Sequence, residues 1–262
     1  MNQTIGLLTR RRSHRAFDGR PITLEDRKLL EQATLQAPTA GNMMLYSIID
    51  VTDPGLKERF AILCDNQPMI AKAPLVWIFL ADMRKWVNFY QESGTVAKGE
   101  TKGIHWRAPG LGDLFLAMDD ALIAAQSAVT AAESLGMGSC YIGDVLENHE
   151  KVSALLQLPP YTAIAAMVIF GYPKNPDTTI RPTLRCPPES IFMENTYREA
   201  HLEALQKAFG AQEEHLRSIN AIPKDDWATI SDYYYFRKYQ SGFMDEMNRS
   251  VSAAVFAWKN PR

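Results

Sequence analysis

Arg11-Arg12-Ser13-His14-Arg15-Ala16-Phe17 is the stretch around which the rest of this chain is organised. Read as an extended segment, its side chains alternate faces with a period of two, so Arg11, Ser13 and Arg15 point the same way. Two guanidiniums flanking a hydroxyl form a cradle for an anion. The planar forks match paired phosphate oxygens, and the serine adds a neutral donor. An isolated basic run of this length is more often a solvated face. The segments C-terminal to it decide between the two.

The setting is an ordinary globular composition. The chain has 262 residues, 46% of them hydrophobic and 22% charged, with a net charge of −2. A chain of this size buries roughly 75% of its unfolded surface, enough for a substantial core. The arginine cluster is then a local feature on a mildly acidic body, which argues against a general nucleic-acid binder. Three cysteines, Cys64, Cys140 and Cys186, are odd in number and far apart. They suggest neither a disulfide framework nor a metal site, and they fit a reducing cytoplasm. The apolar stretch before Arg10 is too short for a signal peptide. The longest apolar run, from Ala117 to Ala132, is interrupted by Asp119, Asp120 and Gln126, so no membrane span is expected.

Along the chain, Thr23 and Asp26 form a capping pair for a helix whose apolar stripe is Leu29, Leu30, Ala33 and Ala37, ending at Pro38. Ala37-Pro38-Thr39-Ala40-Gly41-Asn42 is a small-residue turn with free backbone donors. Residues 47–52 read as a strand, 56–63 as a helix, and 74–80 as a central strand buried on both faces, with Trp77 in the core. Residues 92–112, polar and glycine-rich, read as a long surface loop. Residues 113–135 form the longest helix, apolar over so much of its circumference that it must be buried in a core or between subunits. It leads into Gly136-Met137-Gly138-Ser139-Cys140-Tyr141-Ile142-Gly143-Asp144, whose glycines let a backbone approach a flat ligand. Asn148 is placed to cap a helix running to Leu156, and residues 164–171 form another buried strand. The chain is helical and more charged after Glu194. Strands and helices do not alternate strictly, so the fold class is α+β.

Several kinds of active site are missing from the sequence. The five histidines have no metal-ligand spacing. There is neither a Gly-x-Ser-x-Gly elbow nor a Walker loop. Phosphate-binding arginines and close-approach glycines without an obvious nucleophile point to a bound cofactor that carries the chemistry.

Three segments, Arg11-Arg12-Ser13-x-Arg15-x-Phe17, residues 37–42 and residues 136–143, in this order and spacing resemble the FMN-dependent nitroreductase family. Glu194-Asn195-Thr196-Tyr197 and Asp232-Tyr233-Tyr234-Tyr235-Phe236-Arg237 resemble its larger oxygen-insensitive nitroreductase and NADPH flavin reductase branch. The likeness covers essentially the whole chain. It implies an α+β fold with a central mixed sheet flanked by helices. It also implies a single FMN-binding domain over 1–262, with a core at 1–190 and a C-terminal helical extension at 191–262. The protein is then an intertwined homodimer in which the long helix forms the interface and two FMN sites lie between subunits.

By position, the resemblance gives Arg11 and Ser13 to the FMN phosphate, with Arg12 assisting, and sets Arg15 and Gln67 at the pyrimidine edge of the ring. Thr39, Ala40, Gly41 and Asn42 come from the partner subunit, while Tyr141, Ile142, Gly143 and Asp144 run along the flavin. The family's C-terminal Lys-x-Arg is met here by Arg185, but Thr183 stands at the lysine, and Arg181 is the substitute charge. Arg237, with Lys238 beside it, is placed to read the NADPH 2′-phosphate. The implied activity is ping-pong transfer of a hydride from NADPH or NADH, through flavin N5, to a nitroaromatic, quinone or flavin acceptor, with no protein acid or base and no metal. The alternatives are a flavin-dependent reductase of an enone or halogenated aromatic, a non-catalytic FMN-binding or sensing protein, and a phosphate-ligand binder without flavin.

Overall fold

The computed structural model describes residues 2–175, 183–222 and 229–260. Its first elements are α1 (Gln3–Arg10), α2 (Leu24–Leu35), β1 (Tyr46–Asp50), α3 (Pro54–Leu63), α4 (Pro68–Lys72) and β2 (Leu75–Asp82). Next come α5 (Arg84–Glu92), α6 (Thr95–Glu100), α7 (Leu111–Ser134), β3 (Gly138–Ile142), α8 (His149–Leu156) and β4 (Thr162–Gly171). The last are α9 (Leu202–Ser218), α10 (Ile230–Tyr234) and α11 (Gly242–Lys259). The chain divides into two compact units, 1–180 with 247–262, and 181–246.

The first unit is built on a four-stranded sheet in the order β1-β2-β4-β3. All its strand pairs are antiparallel. Among the described residues, the mixed character expected of the sheet comes down to one parallel bridge, Ser13 to Ser139, made by a segment too short to be a strand. Strand alternation divides β2 between two cores. Leu75, Trp77 and Phe79 face one way and pack with Phe170 against Ala121, Ala124, Ala125 and Ala128 of α7. Val76, Ile78 and Leu80 face the other way, toward Phe60, Ile70 and Val152 of α3, α4 and α8. Trp77 is core, as its apolar setting suggests, with its ring edge-on to Phe79 and Phe170.

The alanines of α7 let the helix lie close on the sheet. Its opposite side leaves Phe115, Leu116, Leu122 and Ile123 exposed. By length and composition α7 could cross a membrane, but its alanine face is filled by the sheet.

Three details differ from the sequence reading. Residues 92–112 are not one loop: Gly94 turns the chain at φ +74° and α6 begins directly after it. Asn148 does not cap α8, because it sits at φ +53° and its side chain donates to the Leu63 carbonyl at 3.4 Å. The cap is Ser250, whose Oγ accepts from the His149 N–H at 2.8 Å and donates to the Leu146 carbonyl at 2.7 Å. The N-terminal helix α1 is an addition, capped by Asn2, which accepts from the Thr4 N–H at 2.9 Å. By contrast the Thr23 cap is as expected, its Oγ1 accepting from the Asp26 N–H at 3.0 Å.

Candidate functional site

Arg11 closes α1, its N–H donating to the Leu7 carbonyl at 3.0 Å, and the chain leaves in an extended conformation. Extension lets the next residues lie along β3. Ser13 pairs with Ser139, and the His14 N–H donates to the Ser139 carbonyl at 2.8 Å. Further on, the Asp18 N–H reaches the Tyr172 carbonyl at 3.0 Å and the Lys174 N–H reaches the Ala16 carbonyl at 3.1 Å. The alternation read from sequence is visible here: Ser13 and Arg15 are exposed, while the His14 ring packs against Gly138.

The electrostatics of the neighbourhood report a concentrated positive charge. The His14 pKa is lowered by burial and then by Arg12 and Arg11. Burial pushes the Tyr141 hydroxyl up to about 12, against the pull of Arg11. Burial also raises the Cys140 thiol, with Arg15, a Ser13 contact and Arg11 opposing. The Glu133 carboxyl is raised by burial and drawn back by Arg11 and Arg12. Among the described residues, neither Arg11 nor Arg15 forms an ion pair. A pair of unmatched guanidiniums on an exposed edge suits a phosphate-bearing ligand.

A second strand of chain reaches this place through Gln67. Asp65 and Asn66 adopt positive φ, and Gln67 emerges from them to donate Nε2–H to Asp144 Oδ2 at 2.6 Å. Asp144 lies in the 3-10 turn after β3, and its charge also acts on Cys140, which feels Arg15 as well. Arg11, Arg12, Ser13, Arg15, Gln67 and residues 141–144 are thus one cluster. Gly143 borders it with free space where a side chain would go, as a backbone that meets a flat ligand requires.

Thr39, Ala40, Gly41 and Asn42 lie elsewhere in the same chain. Their turn is held by Asp120 of α7, a buried carboxylate that accepts from Thr39 Oγ1 at 2.6 Å, the Ala40 N–H at 2.8 Å and the Leu45 N–H at 3.0 Å. The arginines instead act on Glu133, near the C-terminal end of α7. At ~1.5 Å rise per residue, Asp120 and Glu133 are about 20 Å apart along the helix. One chain therefore carries two separated clusters, each holding part of the expected residue set.

The model of the nitroreductase family matches residues 8–172. The chain belongs to the nitroreductase family. The FMN reductase (NADPH) of Bacillus subtilis is 30% identical over 234 residues, 89% of this chain and 84% of that protein. The oxygen-insensitive NADPH nitroreductase of Salmonella typhimurium is 32% identical over 200 residues, 76% of each chain. The crystallised NADPH:FMN oxidoreductase of Vibrio harveyi, complexed with NAD+, superposes with a TM-score of 0.75 at 25% identity. That match covers 97% of this chain and 98% of the other.

Of the remaining expected residues, Arg185, Arg237 and Lys238 belong to the second unit. Arg237 lies on a π turn over Tyr235–Tyr239, with its guanidinium 5.4 Å from the centre of the Tyr233 ring. Arg181 lies outside the described residues. Sequence reasoning misses the roles of Asp120 and Glu133, and the signal for both is the same: a carboxylate within a buried, alanine-rich helix.

Proposed function

We propose that this nitroreductase-family protein is an FMN-dependent NAD(P)H oxidoreductase that reduces a small-molecule acceptor such as a nitroaromatic, a quinone or free flavin. The observation that carries this reading is the unpaired Arg11 and Arg15 on the edge beside β3, next to the space at Gly143 and the Gln67–Asp144 pair. Arg11, Arg12 and Ser13 would hold the phosphate, and Arg15 and Gln67 the pyrimidine edge. Bound FMN supplies reversible two-electron chemistry, so the chain needs no nucleophile of its own. Its residues bind, orient and exclude water. Arg15 would place a positive charge beside the pyrimidine edge of the bound ring, and the Gln67–Asp144 bond fixes which way the amide faces.

The working unit in this reading is a homodimer, with Thr39–Asn42 of the partner subunit completing each site. The two clusters on α7 and its exposed apolar side support it. Electrons come from NADPH, with Arg237 and Lys238 on its 2′-phosphate. The described cysteines are free, in keeping with a cytoplasmic setting.

The test is a spectrum and then turnover. Purified protein should show flavin absorbance bands and oxidise NADPH when a nitroaromatic or quinone is added. A colourless protein that does not take up FMN overturns the reading. A yellow protein inert toward every acceptor and both nicotinamides leaves a non-catalytic FMN binder.

A further inference from the structure

We propose that the open pocket bordered by α5, α6 and the loop entering α7 binds a small aromatic carboxylate. The pocket measures about 490 Å³, within the size range of small-molecule sites. It shares no residue with either cluster described above, and the inference does not rest on the flavin reading.

Its walls are apolar and aromatic: Val87 and Tyr90 from α5, Val96 from α6, and Ile104 and Trp106 from the loop. The loop is built rather than loose. Glu100 accepts from the Trp106 N–H at 3.0 Å and bonds His105 Nδ1 at 2.8 Å. The Ile104 N–H donates to the Gly99 carbonyl at 2.9 Å. Arg107 makes a two-pronged contact with Asp113, at 2.6 and 3.0 Å. A wall fixed in this way has little ordering left to do when a ligand arrives.

Charge gives the ligand's class. The charged or titratable side chains lining the pocket are Lys98, Lys102, His105, Arg107, Asp113 and the Tyr90 phenol. Arg107 is matched by Asp113, and His105 is turned to Glu100. Lys98 and Lys102 have no ion-pair partner among the described residues. Two unmatched ammonium groups on an aromatic-walled pocket favour a ligand with a flat ring and a negative charge. A free phosphate would leave the walls unused, and a neutral arene would leave the lysines unused.

The experiment uses the full chain saturated with FMN, so that the arginine cradle is filled, and measures binding of naphthalene-2-carboxylate by calorimetry. The neutral probe is 2-naphthylmethanol, and inorganic phosphate is the competitor. The carboxylate should bind more tightly than the alcohol by roughly three- to thirtyfold, the range expected for two exposed charge contacts. That preference should vanish at about 0.5 M salt. It should also vanish in the Lys98→Gln/Lys102→Gln variant, whose exposed substitutions should leave the unfolding temperature unchanged. Trp106→Ala should weaken both probes, and phosphate should displace neither. Equal affinity for acid and alcohol, no binding, displacement by phosphate, or undiminished carboxylate binding in the lysine variant would overturn the proposal.

Discussion

An ideal Cβ built on Gly138 falls 2.5 Å from His14 Cγ and 2.6 Å from Cδ2. The atoms it meets belong to a stiff ring near the backbone, so the ring must leave if a methyl arrives. Gly143 in the same motif has nothing within 4 Å, and Gly136 sits at φ +73°. The cluster of glycines is legible in sequence as a place of close approach, but their division of labour is not, because the His14 contact joins segments far apart in the chain. The two alanine variants should differ accordingly. Gly138→Ala should cost about 1–3 kcal/mol through overpacking, and it should lower FMN affinity as well by displacing Ser13 and Arg15 along with His14. Gly143→Ala should keep the parental unfolding temperature and lose FMN affinity alone. Thermal unfolding of the apoprotein and titration with FMN read both quantities. Parental FMN affinity in Gly143→Ala would mean that the ring does not pass that backbone.

At the level of elements, the strands and the long helix are readable because burial imposes a period. The β2 run is apolar on both faces because both faces are covered, and α7 is alanine-rich because it lies on the sheet. The illegible parts are those fixed by contacts distant in sequence. Helix α6 is hidden in a polar, glycine-rich stretch, and the cap of α8 comes from Ser250, far along the chain. In sequence Asp120 is only a break in an apolar run. Its place on the helical face with Ala117, Ala121 and Ala124 marks it as a buried carboxylate in need of donors, which the Thr39–Leu45 segment provides. Gly41 and Asn42 take positive φ within that segment, a strained path that the carboxylate holds in place. Asp120→Ala removes the acceptor from three donors at once. It should destabilise the protein by about 3 kcal/mol, or about 6–12 °C in Tm for a chain of this size. The exposed carboxylate variant Glu58→Ala on α3, away from this turn and from the outer face of α7, should change Tm by no more than about 2 °C. Equal shifts in the two variants would show that the turn does not depend on this carboxylate.

For the whole molecule, α7 sets the geometry. The arginine cluster acts on Glu133 at the C-terminal end of α7, and the Thr39–Leu45 turn is held by Asp120 near its middle. The two carboxylates are about 20 Å apart by helical rise, too far for one small cofactor to touch both within a chain. A second copy related by a two-fold axis across the outer face of α7 would bring the turn of one subunit to the arginines of the other. That face has the composition of an interface, with Phe115 69%, Leu116 51%, Leu122 42% and Ile123 40% exposed in the single chain. Apolar residues clustered on one helix face in this way mark an association surface. In the proposed dimer, cofactor retention would depend on dimerisation. The Phe115→Glu/Leu122→Glu variant places like charges opposite each other across the axis, while both substituted positions are solvent-exposed in the isolated fold. Sedimentation should show a dimer for the parent protein and a monomer for the variant, with the far-ultraviolet helix signal retained. FMN affinity should fall by at least about tenfold, the loss of one charge-assisted or several neutral hydrogen bonds from the partner turn. A folded monomer that binds FMN as tightly as the parent would show that one chain completes the site, and that Thr39–Asn42 serves only to anchor β1 to α7.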